Sequence, residues 1–165
     1  MTKFYYAGIG SRRTPPDVCD IMTKLARWLA EKGLILRSGG ADGADSAFEK
    51  GAGEAKEIFL PWKMYNRNGS KLFPPTDDAI RLASEFHPAW HNCYGPTKKL
   101  LGRNMHQILG QSLDSPVLFV VCYTLNGEAI GGTGVALRCA QSRNIPVHNL
   151  HNPDTRDYIE RIVSE

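Results

Sequence analysis

Three short glycine-bearing segments carry residue types suited to holding an anion: Gly8-Ile9-Gly10-Ser11-Arg12-Arg13, Ser38-Gly39-Gly40-Ala41-Asp42-Gly43-Ala44-Asp45 and Ile130-Gly131-Gly132-Thr133-Gly134. Each stands where an apolar run stops and a helical pattern starts, so each can offer bare backbone N–H groups and a helix N-terminus to a phosphate. In the first, Gly10 and Ser11 let the backbone approach a phosphate while Arg12 or Arg13 supplies a planar, permanently charged fork; the competing reading is a tight turn with two solvated arginines. In the second, Ser38 and Gly43 flank the motif, Gly39 and Gly40 remove side chains beside the sheet, and Asp42 and Asp45 can accept hydrogen bonds from ribose hydroxyls. The same two carboxylates also suit the cap and the first turn of the helix that follows. In the third, the N–H groups of Gly131, Gly132, Thr133 and Gly134, with the Thr133 hydroxyl, can hold a phosphate or a ribose. No lysine follows where a Walker A loop needs one, which argues against ATP hydrolysis of that kind.

Outside the turns, Arg103 and Asn104 lie on a helix that precedes an apolar strand, where Arg103 points either to the same crevice or to solvent. His87 and His91 have the spacing of a helical metal pair, but Pro88 interrupts the helix between them and no acidic third ligand stands nearby, so no metal is expected. Trp62, Tyr65, Trp90 and Tyr94 can cover a pocket by stacking on a base or pack their loops onto the domain.

These residues need a scaffold, and the hydrophobic periods describe one. Strands are expected at Phe4–Ile9, Leu34–Leu36, Glu57–Leu60, Pro116–Cys122 and Pro146–Leu150. Helices are expected from Pro15-Pro16-Asp17 to Gly33 and over Ala44–Gly51, Asp77–Phe86, Thr97–Leu109, Gly134–Ser142 and Asp154–Val163. The stretch Pro61–Pro75 has no period and reads as a surface loop placed to act as a lid. Strands alternating with helices imply one α/β domain, a Rossmann-like, mainly parallel sheet with helices on both faces. With the order 3-2-1-4-5, the glycine turns follow three adjacent central strands, 1, 2 and 4, and become one site.

Bulk properties bound the function. The 165 residues, 42% of them hydrophobic, suffice for one buried core and are too few for two ordinary domains. A net charge of +3 with scattered basic residues permits nucleic-acid binding without demanding it. Cys19, Cys93, Cys122 and Cys139 stand far apart with no C-x-x-C pair, which suggests a reducing compartment. No signal-peptide pattern and no run near the roughly 20 apolar residues of a membrane span appear, so a cytoplasmic protein is expected.

The three motifs together resemble the SLOG superfamily, which includes the Smf/DprA DNA-processing proteins, the Lonely Guy phosphoribohydrolases and sensors of nucleotide-derived signals. The resemblance spans roughly residues 4 to 150, and Arg37-Ser38-Gly39-Gly40-Ala41-Asp42-Gly43-Ala44-Asp45 is its most specific part. It implies a Rossmann-like sheet binding nucleotides or their derivatives. Lonely Guy enzymes carry Pro-Gly-Gly-x-Gly-Thr-x-x-Glu, whose glutamate assists N-glycosidic cleavage; here Arg138 stands where that glutamate belongs. Arg103 matches an arginine of those enzymes, so an altered hydrolase would have to draw its carboxylate from Asp42, Asp45 or Glu128. Likeness to DprA is strongest in the first two motifs and implies single-stranded DNA binding in recombination, although 165 residues leave no room for DprA's extra domains. The relatives also suggest a homodimer. The expectation is a binding protein for a nucleotide or nucleotide-derived ligand that needs no further cofactor, with DprA-like DNA binding and altered phosphoribohydrolysis as alternatives.

Overall fold

A computed structural model describes residues 2–164. Its five strands are β1 (Phe4–Gly10), β2 (Leu34–Ser38), β3 (Lys56–Ile58), β4 (Val120–Tyr123) and β5 (Val147–Asn149), all parallel in the order β3-β2-β1-β4-β5. The helices are α1 (Pro16–Glu31), α2 (Ala44–Ala52), α3 (Asp77–Ser84), α4 (Gly95–Leu109), α5 (Gly131–Ser142) and α6 (Pro153–Val163). Fold class and strand order are those expected from the sequence.

Side-chain alternation along the central strands builds two cores. Tyr6 of β1 and Val121 and Tyr123 of β4 face one side, where Val18, Met22 and Leu25 of α1, Phe48 of α2 and Ile159 of α6 cover them. Ala7 and Ile9 of β1 and Val120 and Cys122 of β4 face the other, under Ala79 and Ala83 of α3, Met105 and Ile108 of α4 and Val135 and Cys139 of α5. Continuously apolar strands are what a sheet covered on both faces requires. All four cysteines are free thiols, and no helix among the described residues is long and apolar enough to cross a membrane.

Differences from the sequence-based boundaries have local causes. Strand β4 starts at Val120 rather than Pro116, because the Ser115 and Val117 N–H groups donate back to Leu109 O and Ile108 O at the end of α4. Helix α4 starts two residues before Thr97, with Pro96 in its first turn, where a missing N–H costs nothing. Helix α5 takes in Gly131-Gly132-Thr133 as its first turn. The loop after β3 is fastened down: Asn66 Nδ2 donates to Gly40 O (2.9 Å) and Asp42 Oδ1 (3.0 Å), and Ser70 Oγ to Ile58 O (2.5 Å). It forms a strap across one side of the sheet's carboxyl edge.

Candidate functional site

The chain leaves β1 toward one face of the sheet and β4 toward the other, so the carboxyl ends of these neighbours open a crevice between them. The crevice holds a cavity of about 480 Å³. Of the residues picked out from the sequence, Gly10, Ser11, Arg12 and Arg13 line it from the β1 turn, Asp45 from α2, Arg103 and Asn104 from α4, and Gly131, Gly132 and Thr133 from the start of α5. Ser38, Gly39, Gly40, Asp42, Gly43, Gly134 and Glu128 do not line it.

The three glycine turns therefore differ in what they do. In the first, Ser11 organises the backbone: its Oγ accepts from Arg13 N–H (3.0 Å), and its carbonyl accepts from the Thr14 hydroxyl (2.6 Å) and from Ala44 N–H (3.3 Å). That leaves the exposed Arg12 and Arg13 at the cavity, and neither takes part in an ion pair among the described residues. The second turn is a packing device. A Cβ on Gly43 would stand 2.6 Å from the carbonyl oxygens of both Ser11 and Arg12, so this glycine lets the two turns touch. Ser38 is buried and donates to Gly8 O (2.6 Å), while Asp42 is exposed and anchors the strap through Asn66. The third turn is open: a Cβ on Gly131 would meet nothing within 4 Å, and one on Gly132 nothing nearer than 3.6 Å. No side chain caps α5, and its first internal bond is Gly134 N–H to Ile130 O (3.0 Å), so the N–H groups of the cavity-lining Gly131, Gly132 and Thr133 are unpaired within the helix. Asn104 Nδ2 donates to Gly132 O (2.9 Å) and fixes that turn against α4.

Beneath these groups lies a buried polar floor. Asp45, Arg103 and Gln107 are each 5% exposed or less and converge on Gly39, where an added Cβ would lie 2.7 Å from Arg103 Nη1, 2.9 Å from Asp45 Oδ2 and against Gln107 Nε2. Arg103 Nη1 donates to Gly39 O, and Nε to Asn104 Oδ1 (2.8 Å). Asp45 lines the cavity and accepts from Ala41 N–H (3.3 Å) in the turn that precedes its own helix. Burial pushes its carboxyl up from 3.8 to about 6, with Arg103 and the Ala41 N–H opposing the rise. Burial also lowers the Arg103 guanidinium, opposed by Asp45 and Tyr65. The strap closes the floor: the Tyr65 ring lies 5.4 Å from the Arg103 guanidinium, and its hydroxyl accepts from Arg12 Nη2 (3.1 Å).

Arg138 is absent from the cavity lining and ties loops together, donating from Nε to Phe86 O (2.7 Å) and from Nη1 to Ala129 O (2.8 Å). The exposed Glu128 lies on the loop before α5. His87 sits 3.8 Å from Cys93 Sγ through Nε2, and among the described residues no three His, Cys, Asp or Glu side chains gather as metal ligands. Sequence reasoning missed Thr97, Leu100, Leu101 and Gln107, which line the cavity with Asn104 on one face of α4. Their helical spacing was the available signal. It also missed Thr124 and Leu125, for which the sequence gives no cue, and Ile130, which leads the third glycine motif.

No protein-family model matches this chain, and no curated protein matches its sequence. Solved structures do share its fold. DNA processing protein A (DprA) from Helicobacter pylori, which binds single-stranded DNA, superposes with a TM-score of 0.59 at 18% identity, over 99% of this chain and 81% of that one. DprA from Streptococcus pneumoniae gives a TM-score of 0.54 at 16% identity over 89% of this chain, which spans only half of that protein's length. At these identities the likeness is one of fold.

Proposed function

We propose that this protein binds single-stranded DNA in the manner of a DprA-like recombination mediator in the cytoplasm, the cavity holding the sugar-phosphate backbone. The observation that carries the reading is the meeting of Arg12, Arg13 and the uncapped start of α5 at one cavity, on a fold shared with DprA. Two guanidinium forks and three N–H groups left without helical partners suit phosphate oxygens. Asp45 is the sole carboxylate lining the cavity among the described residues, against three arginines, so the cavity favours anions.

A second reading, a free nucleotide or nucleotide-derived ligand at the same groups, is favoured by the cavity's size, which falls within the roughly 300–1,000 Å³ of small-molecule sites. Hydrolysis of an N-glycosidic bond there would fall to Asp45, and chromatography after incubation with nucleoside monophosphates is expected to show no free base.

Fluorescence anisotropy with a labelled oligothymidylate at low salt tests the first reading. Binding is expected, and Arg12→Ala with Arg13→Ala should weaken it by at least about tenfold, since each charge-assisted contact contributes roughly 1.5–3 kcal/mol. Competition by mononucleotides at micromolar concentration would favour the second reading. Absence of any complex at low salt overturns the first.

A further inference from the structure

The strap after β3 holds its backbone in a conformation that side chains disfavour: φ is 59° at Met64, 51° at Asn66 and 61° at Arg67. Asparagine tolerates this region; methionine and arginine have no local reason to enter it. Such strain persists only where the surroundings impose it, and it concentrates where a side chain has to be delivered to one place. Here the surroundings do impose it. Asn66 Nδ2 donates to Gly40 O and Asp42 Oδ1, Asn68 Nδ2 donates to Glu49 Oε1 (2.9 Å), and Ser70 Oγ donates to Ile58 O. The residue enclosed by these left-handed positions is Tyr65, whose ring Trp62 backs edge-on with centroids 5.5 Å apart.

Tyr65 does not line the cavity, yet it touches two arginines that do. Its hydroxyl accepts from Arg12 Nη2 (3.1 Å), and its ring lies 5.4 Å from the Arg103 guanidinium. Arg12 has no ion-pair partner among the described residues and is exposed, so without the phenol its long side chain would have to be immobilised by the ligand itself, at an entropic cost. The hydroxyl takes one N–H of a group that carries several, which leaves a fork for phosphate oxygens. We infer that Tyr65 is a positioning residue: the strained strap turn presents its phenol so that Arg12 is held at the cavity in its anion-binding geometry before a ligand arrives, while its ring covers Arg103 at the floor. This rests on the DNA-binding reading above. The strap thereby acts on affinity without itself meeting the bound anion, through the orientation of one guanidinium.

The test is a double-mutant cycle on the full chain, with the labelled oligothymidylate at low salt as probe. Tyr65→Phe keeps the ring and removes the hydroxyl alone, so affinity should fall about threefold to tenfold, as the loss of one hydrogen bond implies, while the urea midpoint stays in place. In the Arg12→Ala background the same substitution should change affinity by less than about twofold, because the group it orients is gone. Equal losses in both backgrounds would make the hydroxyl merely structural and overturn the proposal. Unchanged affinity overturns it as well, and tighter binding would make the phenol a competitor for Arg12 instead. Phenylglyoxal, which modifies accessible guanidinium groups, reads the contact with no ligand present: mass spectrometry should show Arg12 reacting more slowly in the wild type than in Tyr65→Phe. A wild type that binds the strand but shows no such difference in rate overturns the role of Tyr65 alone. Absence of any complex with the wild type overturns the DNA-binding reading and this role together.

Discussion

Asp45 and Arg103 make the cavity floor sensitive to pH at a physiologically reachable value. Burial raises the Asp45 carboxyl from 3.8 to about 6, so near pH 7 it is charged and faces Arg103, while at pH 5 it is mostly neutral and leaves the guanidinium field uncompensated. Anion affinity is therefore expected to rise on the order of tenfold from pH 7 to pH 5, the about 1–2 kcal/mol that one charge contributes in a partly desolvated site. Asp45→Asn should bind at pH 7 as the wild type does at pH 5 and show a flat profile; anisotropy titrations at both values read the difference. The same shift has a signed effect on folding. A carboxyl with a raised folded-state value contributes stability that is present below about 4 and lost as pH rises through about 6, so urea midpoints should move in favour of Asp45→Asn between pH 5 and pH 7. At this scale the sequence was partly legible. Arg12, Arg13 and Asp45 announce themselves as charges beside glycine. Gln107 does not, because its role depends on Gly39 arriving from a segment more than sixty residues earlier. Arg138 could be seen to displace a glutamate, but its work as a tether between Phe86 and Ala129 depends on tertiary contacts that no local pattern encodes.

Between elements, the tightest join is that of α1 with α2. An added Cβ on Gly51 would press on the Thr23 carbonyl oxygen and stand 2.9 Å from Ala26 Cβ, and the Thr23 hydroxyl donates to Ala47 O (2.9 Å) at the same crossing. Alanine gains about 1 kcal/mol over glycine in helix propensity. Overpacking against a backbone atom costs about 1–3 kcal/mol, because a carbonyl in a helix cannot step aside as a side chain can. Gly51→Ala is expected to lower stability by up to about 2 kcal/mol in urea unfolding; a raised midpoint would show that the helices separate freely. The opposite sign is expected at Tyr6, whose buried hydroxyl has no hydrogen-bond partner among the described residues and whose ring stacks on Phe119 at 5.7 Å. Tyr6→Phe removes an unsatisfied group and keeps the ring, so it should be neutral or stabilising by about 1 kcal/mol. The existence and type of these elements were readable from their hydrophobic periods. Their ends were less so, because ends are set by partners: Val117 looks like strand until its N–H donates to Ile108 O at the end of α4, and Gly131-Gly132-Thr133 look like loop until Asn104 pins the turn.

The order β3-β2-β1-β4-β5 places the carboxyl ends of β2, β1 and β4 side by side, and that topology turns three separated motifs into one neighbourhood. Alternation of strands and helices predicts such a sheet, and right-handed crossovers restrict how it can be wound. What alternation does not predict is the division of labour there, with one turn supplying cations, one packing and one supplying open N–H groups, because this depends on which glycines meet neighbours. Whole-molecule charge then limits the kind of DNA complex proposed above. The chain carries a net charge of +3 with its basic residues scattered, and the cations exposed at the cavity are Arg12 and Arg13. A protein tracking a long stretch of backbone would neutralise many phosphates; this one has the means for about two, with Arg103 held at the floor beside Asp45. Counterion release from single strands contributes about 0.7 to the slope of log affinity against log salt for each phosphate neutralised, which gives an expected slope of roughly −1.4. Arg12→Ala should reduce its magnitude by about 0.7. Titrations of an oligothymidylate over a series of potassium chloride concentrations measure both values. A slope steeper than about −4, unchanged by Arg12→Ala, would place the principal contacts outside the cavity and remove the basis for assigning the phosphates to it.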